Sequence, residues 1–382
     1  MISGLVKEIY EEIIELRRDI HAHPEVGMET VETANKICAK LDKYNIPYKR
    51  TNNNGVIAEV EGKKSNKIVM LRGDSDALNQ NEKTSLPFAS VYEGKMHACG
   101  HDFHTSMLVG SAIVLNKMKD EFEGKVRFIF QPGEEIADGA KHMIENGAME
   151  DVDMGLGIHL DPLAKVGEIS ARRGADWAAV DHFYITISGK GAHGATPQDG
   201  IDALICAASI VTNIQTIVSR EIDPMKPLVV TIGKLHSGTS FNIIAEKAEL
   251  EGTCRSFDLD IYNALPSSFE RIIKNIASAY NCEAEIVFNR VAKPLINNDE
   301  AYDILEKAID KVGLSFFEAK QAMIGEDFSE YCDYAPCVFA HLGSEGGHPL
   351  HSPFVNFKEE TIIKGIELEV EFALEALNSI NK

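Results

Sequence analysis

What the sequence lacks narrows it first. There is one tryptophan in 382 residues, and no apolar run is long enough to read as a membrane-spanning helix. Positive charge is scarce: 38 Lys and Arg stand against 59 Asp and Glu, for a net charge of −21, and the basic residues form no stripe. Phosphate contacts need clustered cations, so this balance argues against nucleic acid and anionic membranes as partners. Seven cysteines, an odd number spread along a long chain, do not make a disulfide framework. Cys38, Cys206 and Cys254 stand in apolar or strand-like surroundings and read as reduced packing residues. The opening residues form an acidic amphipathic helix without the basic stretch and small-residue cleavage site of a secretory signal. The expected location is therefore the cytoplasm. No internal repeat or low-complexity tract is present.

What is there is globular: 44% of residues are hydrophobic, in a chain too long for one ordinary core. Helical apolar spacing covers residues 4–20 and 29–44, and Val56–Val60 and Ile68–Leu71 read as strands. The second strand leads into Arg72-Gly-Asp-Ser-Asp-Ala, which places Asp74 and Asp76 at its C-terminal end. A helix over His104–Lys119, a strand over Val126–Gln131, a helix over Ala137–Asn146 and a strand over Met154–His159 continue the alternation. This is a βαβ pattern with a mostly parallel sheet. After Gly174 the style changes. Alternating strands at Val180–Ser188, Leu228–Leu235, Ala248–Phe257 and Ala284–Asn289 accompany long helices from Asp202 to Arg220 and from Asp258 to about Ala279. Helix 300–312, strand Cys337–Leu342 and helix 358–379 then resume the first style. The expected architecture is α/β: a mostly parallel sheet flanked by helices, with a smaller α+β domain of antiparallel strands inserted. The boundaries fall at 1–178, 179–291 and 292–382, with Trp177 at the hinge.

The chemistry concentrates in His97-Ala-Cys-Gly-His-Asp-Phe-His104 and Gln131-Pro-Gly-Glu-Glu135. A thiol and imidazoles on one tight loop are soft-to-borderline donors, and the carboxylates add a further ligand and a proton acceptor. With His159 and His351 the candidate ligands are Cys99, His101, Glu135, His159 and His351. Five donors are too many for one open zinc site and suit two ions about 3.5–4 Å apart that share a bridging group. Such ions would polarise a scissile carbonyl and activate water. Consecutive side chains of an extended chain point apart, so Glu134 does not share the ion of Glu135 and is better cast as the base. Asp76, on the same strand face as Asp74, suits orientation of an imidazole ligand; a loop-capping pair is the plainer alternative for these two aspartates.

These motifs resemble those of the aminoacylase/carboxypeptidase family of dinuclear metallohydrolases, and in particular its amidohydrolase branch of hippurate hydrolases, N-acyl-amino-acid deacylases and auxin-conjugate hydrolases. The resemblance spans nearly the whole chain. It is carried by Arg17-Arg-Asp-Ile-His-Ala-His-Pro-Glu25, Leu71-Arg-Gly-Asp-Ser-Asp-Ala77, the two ligand motifs above, Gly155-Leu-Gly-Ile-His159, Gly189-Lys-Gly-Ala-His193, Gly238-Thr-Ser-Phe-Asn242, Gly252-Thr-Cys-Arg255, Gly325-Glu-Asp-Phe328 and Leu350-His-Ser-Pro353. It implies that Cys99, His101, Glu135, His159 and His351 are ligands of two divalent ions (zinc, manganese, cobalt or nickel) and that Glu134 is the general base. It further implies that the inserted domain mediates homodimerisation and lids the site, that His193 reaches the neighbouring subunit's substrate to stabilise the oxyanion, and that Asn242 and Arg255 anchor the substrate carboxylate. From the residues alone, His193 between glycines is more often a turn residue and Arg255 more often a strand-end surface charge. His21 and His23 read as helix-terminus residues, His97, His104 and His348 as supports of the ligands, and Glu326-Asp327 as support for His351 or Arg255. Two departures, Asn79 in place of the branch's Pro and Gln198 in place of a common His, touch the pocket wall rather than a ligand.

The reading is a cytoplasmic, homodimeric, metal-dependent amidohydrolase that cleaves N-acyl amino acids to a carboxylic acid and a free amino acid. A dipeptidase or carboxypeptidase on the same scaffold is the alternative, although no acidic counter-group for a free amine stands out. A non-catalytic metal-binding dimer is a distant third, since Glu134 is present.

Overall fold

The computed structural model describes residues 1–381 and divides into two compact units. The first comprises Met1–Asp176, Ile296–Lys320 and Asp327–Lys382, and the second Trp177–Leu295 and Gln321–Glu326. In chain order the first unit begins with α1 (Ile2–Ala22), α2 (Val31–Lys43), β1 (Tyr48–Arg50), β2 (Val56–Glu61) and β3 (Lys63–Asp74). It continues with α3 (His101–Lys117), β4 (Glu123–Gln131), α4 (Gly139–Glu145), β5 (Met154–Asp161), β6 (Glu168–Ala171) and β7 (Gly174–Ala175). The second unit holds β8 (Ala179–Ser188), β9 (Ala192–His193), α5 (Ala203–Asn213), β10 (Leu228–Ser237), β11 (Ile243–Ile244), β12 (Lys247–Ser256), α6 (Leu259–Ala279) and β13 (Glu283–Ala292). The chain then returns to the first unit as β14 (Ile296–Asn297), α7 (Asp299–Val312), β15 (Ser315–Glu318), β16 (Cys337–Gly343) and α8 (Thr361–Ile380).

The main sheet has the order β1-β2-β4-β3-β5-β16-β6-β15. Its centre, β4, β3, β5 and β16, is parallel, whereas β2 joins β4 and β6 joins β16 antiparallel. The fold class read from the sequence holds. Central strands of a sheet covered on both faces need apolar residues throughout. Accordingly β16 is buried along its whole length and β5 until Asp161. Helix α3, buried from His101 through Leu115, packs against α1, α8 and β3. A helix with no polar face can exist in water only when enclosed in this way.

Two local expectations are corrected. Helix α3 begins at His101 rather than His104, because Gly100 takes φ +90° and turns the chain into the helix three residues early. The long helix expected from Asp202 to Arg220 stops at Asn213, and a wider turn spans Ile217–Glu221. The stretch Ala203–Glu221 is long and apolar enough, by length and composition, to cross a membrane. Its buried residues Ala203, Cys206, Ala207, Ile210, Ile214 and Ile217 belong instead to the core of the second unit. That core also takes Phe183, Ile185 and Ile187, the alternate residues of β8. The second unit's sheet is antiparallel, in the order β10-β12-β8-β13, with α5 and α6 packed on it.

One buried acid gives the first unit a pH dependence. Glu369 of α8 is enclosed beside α3, where Ser111 Oγ donates to its Oε2 at 2.5 Å. Burial pushes its pKa up to about 8, against the Ser111 bond. The folded chain thus holds a proton that the unfolded chain has already released, so stability falls as pH rises from about 4.5 to 8. Every tenfold gain in proton affinity on folding corresponds to about 1.4 kcal/mol. Glu369→Gln should therefore raise the melting temperature at pH 9, on the order of a few kcal/mol in stability, and change it little at pH 4.5. Thermal unfolding of both proteins across that range is the measurement; an equal gain at both ends would mean that ionisation is not the cause.

Candidate metal centre

The parallel strands deliver their C-terminal ends to one edge of the sheet, where open α/β folds place their ligands. Asp74 ends β3, Gln131 ends β4 and leads into Glu134 and Glu135, and His159 lies near the end of β5. Between Cys99 and His101 the chain must reverse sharply. Gly100 does this at φ +90°, and a Cβ there would sit 3.1 Å from Leu160 Cδ1. His351 adopts φ +61°, a left-handed conformation that non-glycine residues avoid, and its N–H donates to the carbonyl of Ala98 at 3.0 Å.

These constraints bring the sequence-predicted donors together. Cys99 Sγ lies 3.4 Å from His159 Nε2 and 3.3 Å from His351 Nε2. Glu135 Oε1 is 3.6 Å from His351 Nε2 and 3.9 Å from His101 Nε2. Two triads form, Cys99–His101–His159 and Cys99–Glu135–His351, each with donor atoms within 4.8 Å of one another, and Cys99 belongs to both. Glu134 joins His101 and Glu135 in a third such group. Burial is graded across the centre: His101 is enclosed, whereas the His351 side chain is 53% exposed. The centre is closed on the His101 side and open on the His351 side.

Hydrogen bonds to the second nitrogens distinguish candidate ligands from supports. His159 Nδ1 faces the carbonyl of Leu160 at 2.8 Å and so carries the proton, which turns Nε2 toward Cys99. His104 differs. The Leu160 N–H donates to its Nε2 at 2.9 Å, and its Nδ1 donates to Asp74 Oδ1 at 2.6 Å. Both ring nitrogens are committed, so His104 is a support even though it stands with Asp74 and His101 in a cluster of ligand-type groups. Asp76 Oδ1 is 3.4 Å from His101 Nδ1, outside hydrogen-bond alignment, and its two oxygens accept the backbone N–H groups of Glu134 at 3.0 Å and Glu135 at 3.2 Å.

Electrostatics fits the donors to cations. Burial alone would lower the His101 pKa, but Asp74, Asp76 and Glu135 override it and raise it to about 10. The Cys99 thiol is pushed well up by burial and by Glu135, Glu134 and Asp74, and Glu135 is raised chiefly by burial. Arg72 and the two histidines hold Asp74 ionised despite its burial. So much buried negative charge calls for positive charge at the position that a proton on His101 would otherwise supply. His101 Nδ1 and Nε2 and Glu135 Oε1 are buried without a hydrogen-bond partner among the described residues, which buried polar atoms rarely are. Thiolate, imidazole and carboxylate donors together suit two divalent transition-metal ions.

The second unit carries the other candidates. His193 and Ile243 pair across the β9–β11 ladder, and the Asn242 carbonyl accepts the Gly194 N–H at 2.8 Å, so His193 and Asn242 share one exposed edge. The Ala195 N–H donates to His193 Nδ1 at 3.1 Å, which leaves Nε2 as the protonated, outward nitrogen. Arg255 lies elsewhere. It is the ninth residue of β12, half-buried, and bonded to Thr253 Oγ1 and the Cys254 carbonyl. Eight steps of a strand cover roughly 26 Å, so Arg255 stands far along β12 from the end near Asn242.

Several supports had escaped the sequence reading. Arg17 Nε donates to Asp102 Oδ2 at 2.8 Å and its guanidinium lies 4.3 Å over Phe103, while His21 Nδ1 meets the same Asp102 oxygen at 2.8 Å. His21 therefore braces the first turn of α3 instead of merely ending α1; the four-residue spacing of Arg17 and His21 on one helix face was the available signal. His23 does sit at the helix end, against the Asp19 carbonyl at 2.8 Å. His348 is exposed and lies tilted beside Phe354, ring centroids 5.7 Å apart.

Comparison with known proteins agrees with this geometry. Residues 70–375 match the model of peptidase family M20/M25/M40. The N-acetylcysteine deacetylase of Bacillus subtilis is 37% identical over 379 residues, which is 98% of this chain and 99% of that protein. The N-acyl-L-amino acid amidohydrolase of Geobacillus stearothermophilus is 39% identical over 301 residues, covering 78% of this chain and 81% of its own. A crystal structure from Bacillus subtilis, described as a dinuclear metal binding peptidase from the M20 family, superimposes with a TM-score of 0.87 at 35% identity, over 97% of this chain and 99% of that one.

Glu134 and Glu135 lie in a turn rather than in extended chain, and both come within reach of His101; the roles read for them still predict different metal content. Glu135→Gln should lose bound metal, because its oxygen belongs to the triad with Cys99 and His351. Glu134→Gln should remain nearly fully loaded. Metal analysis of both purified variants checks this, and an empty Glu134→Gln beside a loaded Glu135→Gln would exchange their roles.

Proposed function

The chain belongs to peptidase family M20/M25/M40, and from that premise we propose that it removes the acyl group from N-acylated amino acids. Family membership makes it a metal-dependent hydrolase of amide bonds. The observation that carries the finer reading is the donor set around Cys99, partly open at His351, with Glu134 beside it. Residues 1–178 and 292–382 are the catalytic domain in this reading, and 179–291 the dimerisation and lid domain.

Cys99, His101, Glu135, His159 and His351 would hold two divalent ions, of zinc, manganese, cobalt or nickel. Bound there, the ions supply Lewis acidity to the scissile carbonyl and to the attacking water. Glu134 takes the water proton and carries it to the departing nitrogen. The water oxygen bonds to the carbonyl carbon, the C–N bond breaks, and a carboxylic acid and a free amino acid result. His193 presents Nε2–H to the oxyanion. The extended distance along β12 supports a division of labour, with His193 and Asn242 serving the neighbouring subunit and Arg255 its own. The exposed Leu204 and Ile205 of α5 and the edge strand β10 suit a homodimer interface in this domain. The net charge of −21 supports a small-molecule substrate over nucleic acid or an anionic membrane, and seven unpaired cysteines support a cytoplasmic location.

Hydrolysis of acetyl-, benzoyl- and longer-acyl amino acids beside plain dipeptides, with several metals restored, tests the substrate class. N-acyl amino acids should be cleaved best, and a preference for dipeptides would favour the peptidase reading. In the same assay Arg255→Ala should depress kcat/KM for an acyl amino acid by about 10–100-fold, the order of one charged hydrogen bond to a carboxylate, and by much less for its amide or methyl ester. Equal losses on all three substrates would make Arg255 structural.

The shared site has its own test. Dimers of His193→Ala and of Glu134→Ala should each be inactive. Equal amounts refolded together pair at random, so half of the dimers are mixed, and each mixed dimer has one site with Glu134 and a borrowed His193 intact. Activity should return to roughly a quarter of wild type in a two-fold dimer. Persistent inactivity of a verified mixed dimer would confine His193 to its own subunit.

A further inference from the structure

The ten residues from Gln131 to Ala140 carry Glu134 and Glu135, and both ends of this loop meet one buried carboxylate. Asp327 Oδ1 accepts from Gln131 Nε2 at 2.8 Å, and Oδ2 accepts from the same nitrogen at 2.9 Å. At the far end the Ala140 N–H donates to Oδ2 at 2.9 Å. The loop is closed tightly: a Cβ on Gly139 would lie 1.9 Å from the Pro132 carbonyl oxygen and 2.6 Å from Gln131 Nε2. Arg72 sets the clasp in place, with its NH2 group 2.8 Å from Asp327 Oδ1 and its Nε 2.9 Å from Gln131 Oε1, where Tyr331 Oη also donates at 2.8 Å. Arg72, Gln131 and Asp327 are all buried. Asp76 meanwhile holds the middle of the loop through the Glu134 and Glu135 amides.

We propose that Asp327 is a positioning residue for the reaction: by bonding both ends of loop 131–140 it fixes where Glu134 and Glu135 point. This rests on the reading of Glu134 as base and Glu135 as ligand. The Asp327 carboxylate is bonded to Arg72, Gln131 and Ala140. In a buried network each lost bond leaves a partner unsatisfied. Losing the clasp therefore lets the loop relax, and small displacements of a catalytic group are costly to the rate.

The test uses the full-length protein, stripped of metal and titrated with Co²⁺. In Asp327→Asn, Glu135 should hold its ion about 10–100-fold more weakly, as when other supports of metal ligands are removed. The other equivalent of Co²⁺, bound through Cys99, His101 and His159, should keep its affinity and its thiolate absorption. Reloaded at saturating metal, the variant should lose about 10²-fold in kcat with KM changed little. Gln131→Met, which removes the side-chain donor to Asp327 together with the acceptor of Arg72 Nε and Tyr331 Oη, should show the same pattern and serves if Asp327→Asn does not fold. A merely structural role would weaken both equivalents together along with thermal stability. That result, or two equivalents bound as in wild type, overturns the proposal. If Glu134→Gln kept full turnover, the assignment of the base would fall, while the Co²⁺ titration would still decide the clasp.

Discussion

Asp74, Asp76 and Glu135 converge around His101, beside the Cys99 thiol, in a region largely shut off from water, and the remaining chemistry is organised by the need to balance the charge of the carboxylates. Isolated buried anions are strongly disfavoured, so each must be paired or take up a proton. Arg72 balances part of the charge, and its effect on Asp74 is to keep that carboxylate ionised despite complete burial. His101 is driven to bind a proton for the same reason. A proton is a poor long-term occupant of this position, since the lone pair it consumes is the one a ligand would use. Divalent ions satisfy the same electrostatic demand and leave the imidazole, thiolate and carboxylate donors in their coordinating forms. The charge that would destabilise the fold without a cation is thus what gives the site its affinity for one.

The fixed tautomers follow from the same organisation. His104 and His159 neighbour one another, with ring centroids 4.7 Å apart, yet one is a support and the other a donor. The difference lies in the backbone of Leu160, whose N–H faces His104 and whose carbonyl faces His159. A single residue of β5 therefore withdraws Nε2 of one ring from coordination and presents Nε2 of the other. A substitution that shifted β5 along β3 would disturb both histidines at once. The apolar, fully enclosed residues of β3, β5 and β16 act against such a shift.

Much of this was legible in the sequence, for identifiable reasons. The parallel strands announced themselves as short apolar runs, and Cys99, His101, Glu134 and Glu135 lie close enough in sequence for their spacing to carry meaning. Short strands such as Glu168–Ala171 and Ser315–Glu318, the last two of the main sheet, were missed because four residues give too little pattern. The break after Asn213 was hidden because apolar spacing continues through Ile214 and Ile217, both of which are buried. The supports were least legible. Asp327 lies 196 residues from Gln131, and Arg17 lies 85 from Asp102. A polar residue advertises its type in a sequence but not its partner, and only the closed sheet brings these pairs into range.

The lid candidates show how a length can constrain a mechanism. A substrate made of one amino acid and an acyl group presents its carboxylate, scissile bond and oxyanion within a few bond lengths. His193 and Asn242 sit at one end of the second unit's sheet, beside β11, and Arg255 is the ninth residue along β12. A fully paired ten-residue strand is stiff and registered on both sides, here with β10 and β8, so Lys247 and Arg255 are held roughly 26 Å apart. If all three residues touch substrate, the length of β12 favours their coming from two subunits. In a two-fold dimer the two ends of the sheet could serve different sites. The use of His193 in catalysis and the existence of a dimer are in that sense one hypothesis, joined by the length of β12.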